Sequence, residues 1–202
     1  MALVVTQDGN DTAQLSSMLA KAQDVLQSKH LTALADSGYF EGGQIKTCEE
    51  NNLTVYVAVP DKTKRIAAQG RFTREQFSYD AEKNAYTCPQ QKTLTVSGNP
   101  FKKGNKTFSR YQSQAGDCSG CPLHEQCLSE KSSVRTIDRW EHEAVIERHK
   151  QRMKQRPDAM KKRATLAEHP FGTLKNRAGS QHFLMRGLEK CRGEFSLMVL
   201  GY

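Results

Sequence analysis

Residues 163–187 read RATLAEHPFGTLKNRAGSQHFLMRG and set one carboxylate, Glu168, in a strongly basic neighbourhood. Lys175 follows seven residues later, with Arg177 just beyond it. Seven residues make about two helical turns, so in an unbroken helix Glu168 and Lys175 share one face. An acid that can hold a metal, beside cations that can hold phosphate, is what phosphodiester chemistry requires. A solvated helix face carrying one acid among bases has the same pattern. Pro170 cannot donate to the Leu166 carbonyl, so the helix must kink or end just past Glu168; a kink is expected, with Gly172 relieving the crowding.

Working upstream, Lys150, Arg152, Lys154, Arg156, Lys161, Lys162 and Arg163 stand against a single acid, Asp158. Such a run suits a phosphate-tracking surface whose binding weakens steeply with salt. The whole chain has the same bias: 202 residues carry 30 Lys and Arg against 22 Asp and Glu, a net charge of +8. A polyanionic partner follows, with nucleic acid and an anionic membrane surface both compatible. Hydrophobic residues make up 37%, so the core should be modest. No apolar run is long enough to span a bilayer, and the opening MALVVTQDGN has neither a basic n-region nor an h-region. These features describe a soluble, cytoplasmic chain, in which six cysteines point to metal or free thiols before disulfides.

From the start, the run ALVVT (2–6) has strand character, and Asp11 with Gln14 is spaced for a capping box opening a helix to about Ser28. LTALAD (31–36) predicts a buried strand, 41–51 a helix, and LTVYVAV (53–59) another strand. That alternation argues for an α/β fold with some parallel pairing. Beyond Pro60 apolar periodicity fades and turn residues accumulate, which marks 61–135 as an insert. From Asp138 the stripe Trp140, Ala144, Val145, His149 and Met153 predicts a helix, and 188–202 a last, partly buried one.

Asp36 falls at the carboxyl end of a predicted strand, the edge where open α/β sheets bind ligands. Before Ser-Gly an Asp is equally suited to capping a turn. With Glu168 it makes a pair of hard oxygen donors for a divalent cation. Asp8 and Asp11 belong to the turn and cap and are assigned structural roles. In the insert, Cys88, Cys118, Cys121 and Cys127 can hold a tetrahedral structural Zn2+, with His124 able to replace one thiolate. With only one CxxC knuckle in the set, free buried thiols are the alternative. Cys48 and Cys191 are expected to be packed.

These segments resemble a known family. ALADSGYF, with Asp36, and AEHPFGTLK followed by FLMRGLEK resemble the second Asp and the Glu region of DDE-type transposases from bacterial insertion sequences. The resemblance extends to the subgroup with a cysteine-bearing insert between those acids, here CPQQK and CSGCPLHEQC. It implies a partial RNase H-like fold: an N-terminal section over 1–60, the cysteine-rich insert over 61–135, and a helical C-terminal section over 136–202. In the family, two Asp and one Glu bind two divalent ions, usually Mg2+, for strand cleavage and joining. Asp36 would be the second acid, Glu168 the third, and Lys175 the Lys that contacts DNA near the transposon end. Arg177, Lys161, Lys162 and Arg163 would add phosphate contacts. A related group carries an Arg four residues before the Glu; that position is Ala164 here, with Arg163 one earlier. The family's first Asp precedes ALVVTQDGND, so the resemblance implies a C-terminal piece, inactive alone, with transposon-end DNA and another transposase chain as partners. The alternatives are a zinc-stabilised DNA-binding module and an inert remnant of the element.

Overall fold

A computed structural model describes residues 4–61, 63–177 and 182–201; the side chains of Glu168, Phe171, Lys175 and Arg177 lie outside the described set. In chain order come α1 (Leu15–Leu26), β1 (Thr32–Ala35), α2 (Gly42–Glu50), β2 (Thr54–Val57) and α3 (Lys64–Ala68). Strands β3 (Ser78–Asp80), β4 (Ala85–Thr87), β5 (Thr93–Val96), β6 (Phe101–Lys103) and β7 (Lys106–Gln112) follow. Two one-turn helices, α4 (Ala115–Cys118) and α5 (His124–Cys127), lead to β8 (Thr136–Trp140). Helices α6 (Glu143–Gln155), α7 (Ala159–Gly172) and α8 (Leu188–Leu200) close the chain. These elements form two compact units: Met1–Pro60 with Ala144–Tyr202, and Asp61–Glu143.

In the first unit β1 and β2 pair in parallel, Thr32 opposite Thr54 and Ala35 opposite Val57. Helix α2 makes the crossover that parallel neighbours need. Ile45 and Cys48, three apart on α2, face Leu53, Val55 and Val57 and complete a core with Leu15 and Val145. Only β2 is deeply buried; β1 is half-covered along most of its length.

The structure corrects three expectations. Residues 4–6 of the ALVVT run are not strand (2 and 3 lie outside the described residues). Strand propensity needs a paired neighbour, and the Val5 carbonyl instead accepts a hydrogen bond from Arg192 Nε at 3.2 Å. The capping box does not form either: Gln14 is itself the N-cap, without a side-chain cap bond, and its amide donates to the Asp8 carboxylate. Finally, Asp138 and Trp140 belong to a strand, because β8 pairs with β7 from Thr136–Gln112 to Trp140–Phe108. The helix begins only at Glu143.

Helices α2 and α6 are tied by charge. Glu49 accepts from Arg148 at 2.8 Å and from Arg152 at 2.6 Å, and Arg152 also donates to the Val55 carbonyl at 3.2 Å. Burial raises the Glu49 carboxyl, but the hydrogen bonds and charges of the two arginines outweigh it and hold it below its ordinary value.

His149 of α6 is fully buried. Its Nε2 lies 2.9 Å from the Val57 carbonyl and donates to it, its ring is 5.9 Å from Phe40, and Nδ1 has no partner. Burial pushes its pKa below 6.5, with Arg152 lowering it further against the opposing Val57 bond and Glu49 charge. The unfolded chain therefore takes up a proton first as pH falls. This contribution to stability is complete above the unfolded pKa and is lost from about 6.5 downward, by at most about 1.4 kcal/mol per pH unit. Urea midpoints from pH 7.5 to 5.5 should fall less steeply in His149→Leu than in the wild type; equal slopes would count against this.

The second unit is an antiparallel sheet built on β7. Its order runs β3-β4-β5-β7-β6, with β8 also paired to β7. Strand β6 pairs with the start of β7 and β5 with its end. Phe77, Tyr86, Leu94, Tyr111 and Ile137 form its core. Buried Arg139 lies 3.6 Å from the Tyr79 ring centre and donates to the Tyr86 hydroxyl at 3.1 Å, so its charge is held against π faces. Residues 61–143 thus have their own apolar core, which their faint periodicity does not announce. Among the described residues, no helix is long and apolar enough to cross a membrane.

Candidate functional site

Asp36 follows the last residue of β1 and caps the 3-10 turn Ser37–Tyr39. Its Oδ1 accepts from the Gly38 N–H at 2.9 Å, so the turn-capping role is filled. Its other oxygen is also engaged: Arg163 Nη2 donates to Oδ2 at 3.1 Å. Helix α7, which carries both Arg163 and Glu168, packs against β1. The Asp36 side chain remains 47% exposed, within reach of a hydrated cation. Beside it, burial raises the Tyr39 phenol, with Asp11 and Asp36 adding to that and Arg163 opposing, so the hydroxyl stays protonated.

Helix α7 does not stop at Pro170. It runs on to Gly172 and passes into a π-helical turn over Thr173–Arg177. The shared face expected for Glu168 and Lys175 assumed 3.6 residues per turn throughout, and the wider π turn changes that register. The side chains of Glu168, Lys175 and Arg177 fall outside the described residues, so only their backbone places are fixed.

The basic run divides in two. Arg152 braces Glu49, Arg156 pairs with Asp158 at 3.2 Å, and Arg163 is held by Asp36. Lys154, Lys161 and Lys162 are exposed. Sequence spacing cannot separate these classes, because the acids that claim the arginines arrive from other regions of the chain or from the next helix cap.

In the second unit Cys88, Cys118, Cys121 and Cys127 line one pocket with His124 and Arg135. Two tight turns deliver three of the thiols. Gln91, at φ 59°, closes Cys88–Lys92, and Lys92 N–H donates to Cys88 Sγ at 3.4 Å. Gly120, at φ 75°, lets Cys121 N–H reach the Cys118 carbonyl at 3.3 Å, a conformation costly for a residue with a Cβ. Cys127 ends α5. Burial pushes the Cys127 thiol up, Arg135 opposes this, and Cys118, Cys88 and Cys121 raise it further.

The four sulfurs do not, however, close into the expected tetrahedron. Among the described residues, no group of three or more His, Cys, Asp or Glu side chains is set to hold a metal ion. The thiols are free; Cys118 Sγ lies 3.1 Å from Ser113 Oγ, and Cys88 Sγ accepts from the Lys92 N–H. Sequence reasoning missed Arg135, which donates to the Cys127 carbonyl at 2.8 Å and to the Phe72 carbonyl at 3.3 Å. Its partners are backbone carbonyls gathered by the fold, so no residue spacing marks it. Of the outlying thiols, Cys48 is buried as expected, while Cys191 is only half-buried and meets the Met185 carbonyl at 3.3 Å.

A family model described as "Transposase DDE domain" matches residues 87–202, more than half of the chain. The matched range takes in the four-cysteine pocket, α7 with Glu168, and α8, while Asp36 lies outside it. No curated protein and no solved structure matches. Because the match covers more than half of the chain, this chain belongs to the family of transposase DDE domains.

Proposed function

We propose that this chain serves the metal-dependent cleavage and joining of DNA strands in the transposition of a bacterial insertion sequence, with Asp36 and Glu168 as cation ligands. The observation that carries this is the placement of Asp36 at the carboxyl end of β1, against which the Glu168-bearing α7 packs. Ligands of α/β sheets bind at that edge, and Asp36 offers a half-exposed carboxylate of the hard-oxygen type that Mg2+ prefers. Mg2+, when bound, polarises the phosphoryl group and activates the attacking hydroxyl. Asp36 is pre-oriented by the Gly38 N–H. Lys175, Arg177, Lys161 and Lys162 grip the phosphates of transposon-end DNA, and the chain acts in the cytoplasm. The family's first Asp is not among the residues assigned to the site. The activity is therefore proposed for this chain with a segment or another transposase chain that supplies it, not for the isolated chain.

The four thiols of the second unit are proposed as a structural Zn2+ site. Supporting this are their common pocket and the two turns that aim Cys88, Cys118 and Cys121 at it. Zn2+ takes thiolate ligands, so on binding it would displace the thiol protons and hold the sulfurs together. Zn2+ binding would then draw the sulfurs inward from their present hydrogen bonds.

Duplex binding as a function of salt tests the DNA-facing surface. About five phosphate contacts predict an affinity loss of about 10²- to 10³-fold between 50 and 200 mM salt. Salt-independent binding would rule out a phosphate-tracking surface. Cleavage of transposon-end duplex by the complete assembly with Mg2+ tests the chemistry.

A further inference from the structure

Asp36 and Arg163 are each assigned to the site, one to cation and one to DNA, yet they are bonded to one another. Building on the site proposed above, we propose that Arg163 is a built-in counter-ion of Asp36, which holds the carboxylate in the cation-free protein and must swing away when a divalent cation binds. The two oxygens of Asp36 have different partners. Oδ1 takes the Gly38 N–H at 2.9 Å, a bond internal to the turn that orients the carboxylate whatever else binds. Oδ2 takes Arg163 Nη2 at 3.1 Å, with the Arg163 side chain only 26% exposed. The guanidinium therefore covers the oxygen that a metal would approach.

A divalent cation coordinates a carboxylate at about 2.1 Å. It would then meet the guanidinium within the few ångströms where like charges strongly disfavour each other. Ion pair and metal therefore compete at Oδ2. Because Arg163 rides on the helix that carries Glu168, the displaced guanidinium stays beside the site and becomes available to a phosphate. A phosphate that engages Arg163 in turn frees Asp36, so cation and DNA favour each other's binding, as linkage requires. The pair also keeps the acid charge-balanced before substrate arrives.

The test is Mn2+ titration of the full chain by calorimetry, without DNA. Asp36→Asn should lose the binding event. Arg163→Gln should bind Mn2+ roughly two- to fivefold tighter than the wild type, the range set by a partly exposed ion pair. Lys162→Gln removes an exposed charge one residue away and should change the affinity less. Arg163→Lys keeps the charge but lacks the planar fork that suits a carboxylate, so it should fall between wild type and Arg163→Gln; it also provides the comparison if the Gln variant does not fold. Equal affinities for Arg163→Gln and Lys162→Gln, or weaker binding in Arg163→Gln, would overturn the counter-ion proposal alone. Mn2+ binding unchanged in Asp36→Asn would overturn the metal site itself, and the counter-ion with it.

Discussion

Chelating the proposed zinc, or replacing Cys121 with Ser, should melt the cysteine turns of residues 61–143 and leave the β1–β2 unit folded. Structural zinc in small peptides contributes on the order of 10–16 kcal/mol of apparent binding free energy at neutral pH, enough to decide whether a short segment is ordered. The affected segments are Cys88–Lys92 and the stretch from Ser113 to Arg135, where α4 and α5 are single turns with no buried residues of their own. The sheet should partly survive, because Phe77, Tyr86, Leu94, Tyr111 and Ile137 form a buried core of their own, against which Cys88 and Cys127 are only partly buried. Metal analysis should find about one zinc per chain. Hydrogen exchange should show protection lost in the cysteine turns and retained at Val55 and Val57. Zinc affinity should rise with pH, since burial and the neighbouring thiols push the Cys127 thiol up and metal must displace its proton. Folded, reduced protein that contains no zinc and exchanges identically with and without chelator would sink the site in favour of free thiols.

In the complete assembly, Glu168→Gln and Asp36→Asn should each lower Mg2+-dependent strand cleavage by at least about 10³-fold. Metal catalysis contributes several kcal/mol of transition-state stabilisation, and about 4 kcal/mol is three decades in rate. Each amide keeps the size of the acid but removes the negative charge that balances the cation. DNA affinity should hold or rise, because an anion leaves a basic surface. Cleavage and binding should therefore separate in the same preparation, which a merely misfolded variant cannot reproduce. A cleavage rate within tenfold of wild type for Asp36→Asn would show the acid to be misplaced. Asp8 and Asp11 would then be the next candidates, although the Asp8 carboxylate already accepts from Gln14.

The parallel pairing of β1 with β2 could be read from the chain because each strand is a short apolar run bounded by turn residues, with a helix-length segment between them. Asp36 was legible for the same reason: it ends the first run, before Ser-Gly. The sheet of the second unit was much less so. Its strands are three to seven residues long, too short for alternation to emerge, and their partners lie far apart in sequence, as when Thr136 meets Gln112. Trp140 and Asp138 fit a helical stripe as well as a strand, and only the edge of β7 decided between them.

What the sequence determined by itself is whatever depends on residue type and near neighbours: the basic surplus, the Glu168 segment, the single CxxC knuckle of Cys118 and Cys121, and the resemblance carried by contiguous motifs. What only the tertiary structure decided is which charges meet. Arg163 with Asp36, Arg152 with Glu49, and Arg135 with two backbone carbonyls join positions far apart in the chain or matched to no side chain at all. A formal charge is a property of the residue. Its partner is a property of the fold, because ion pairs and hydrogen bonds act over a few ångströms, and chain folding alone sets which groups come that close.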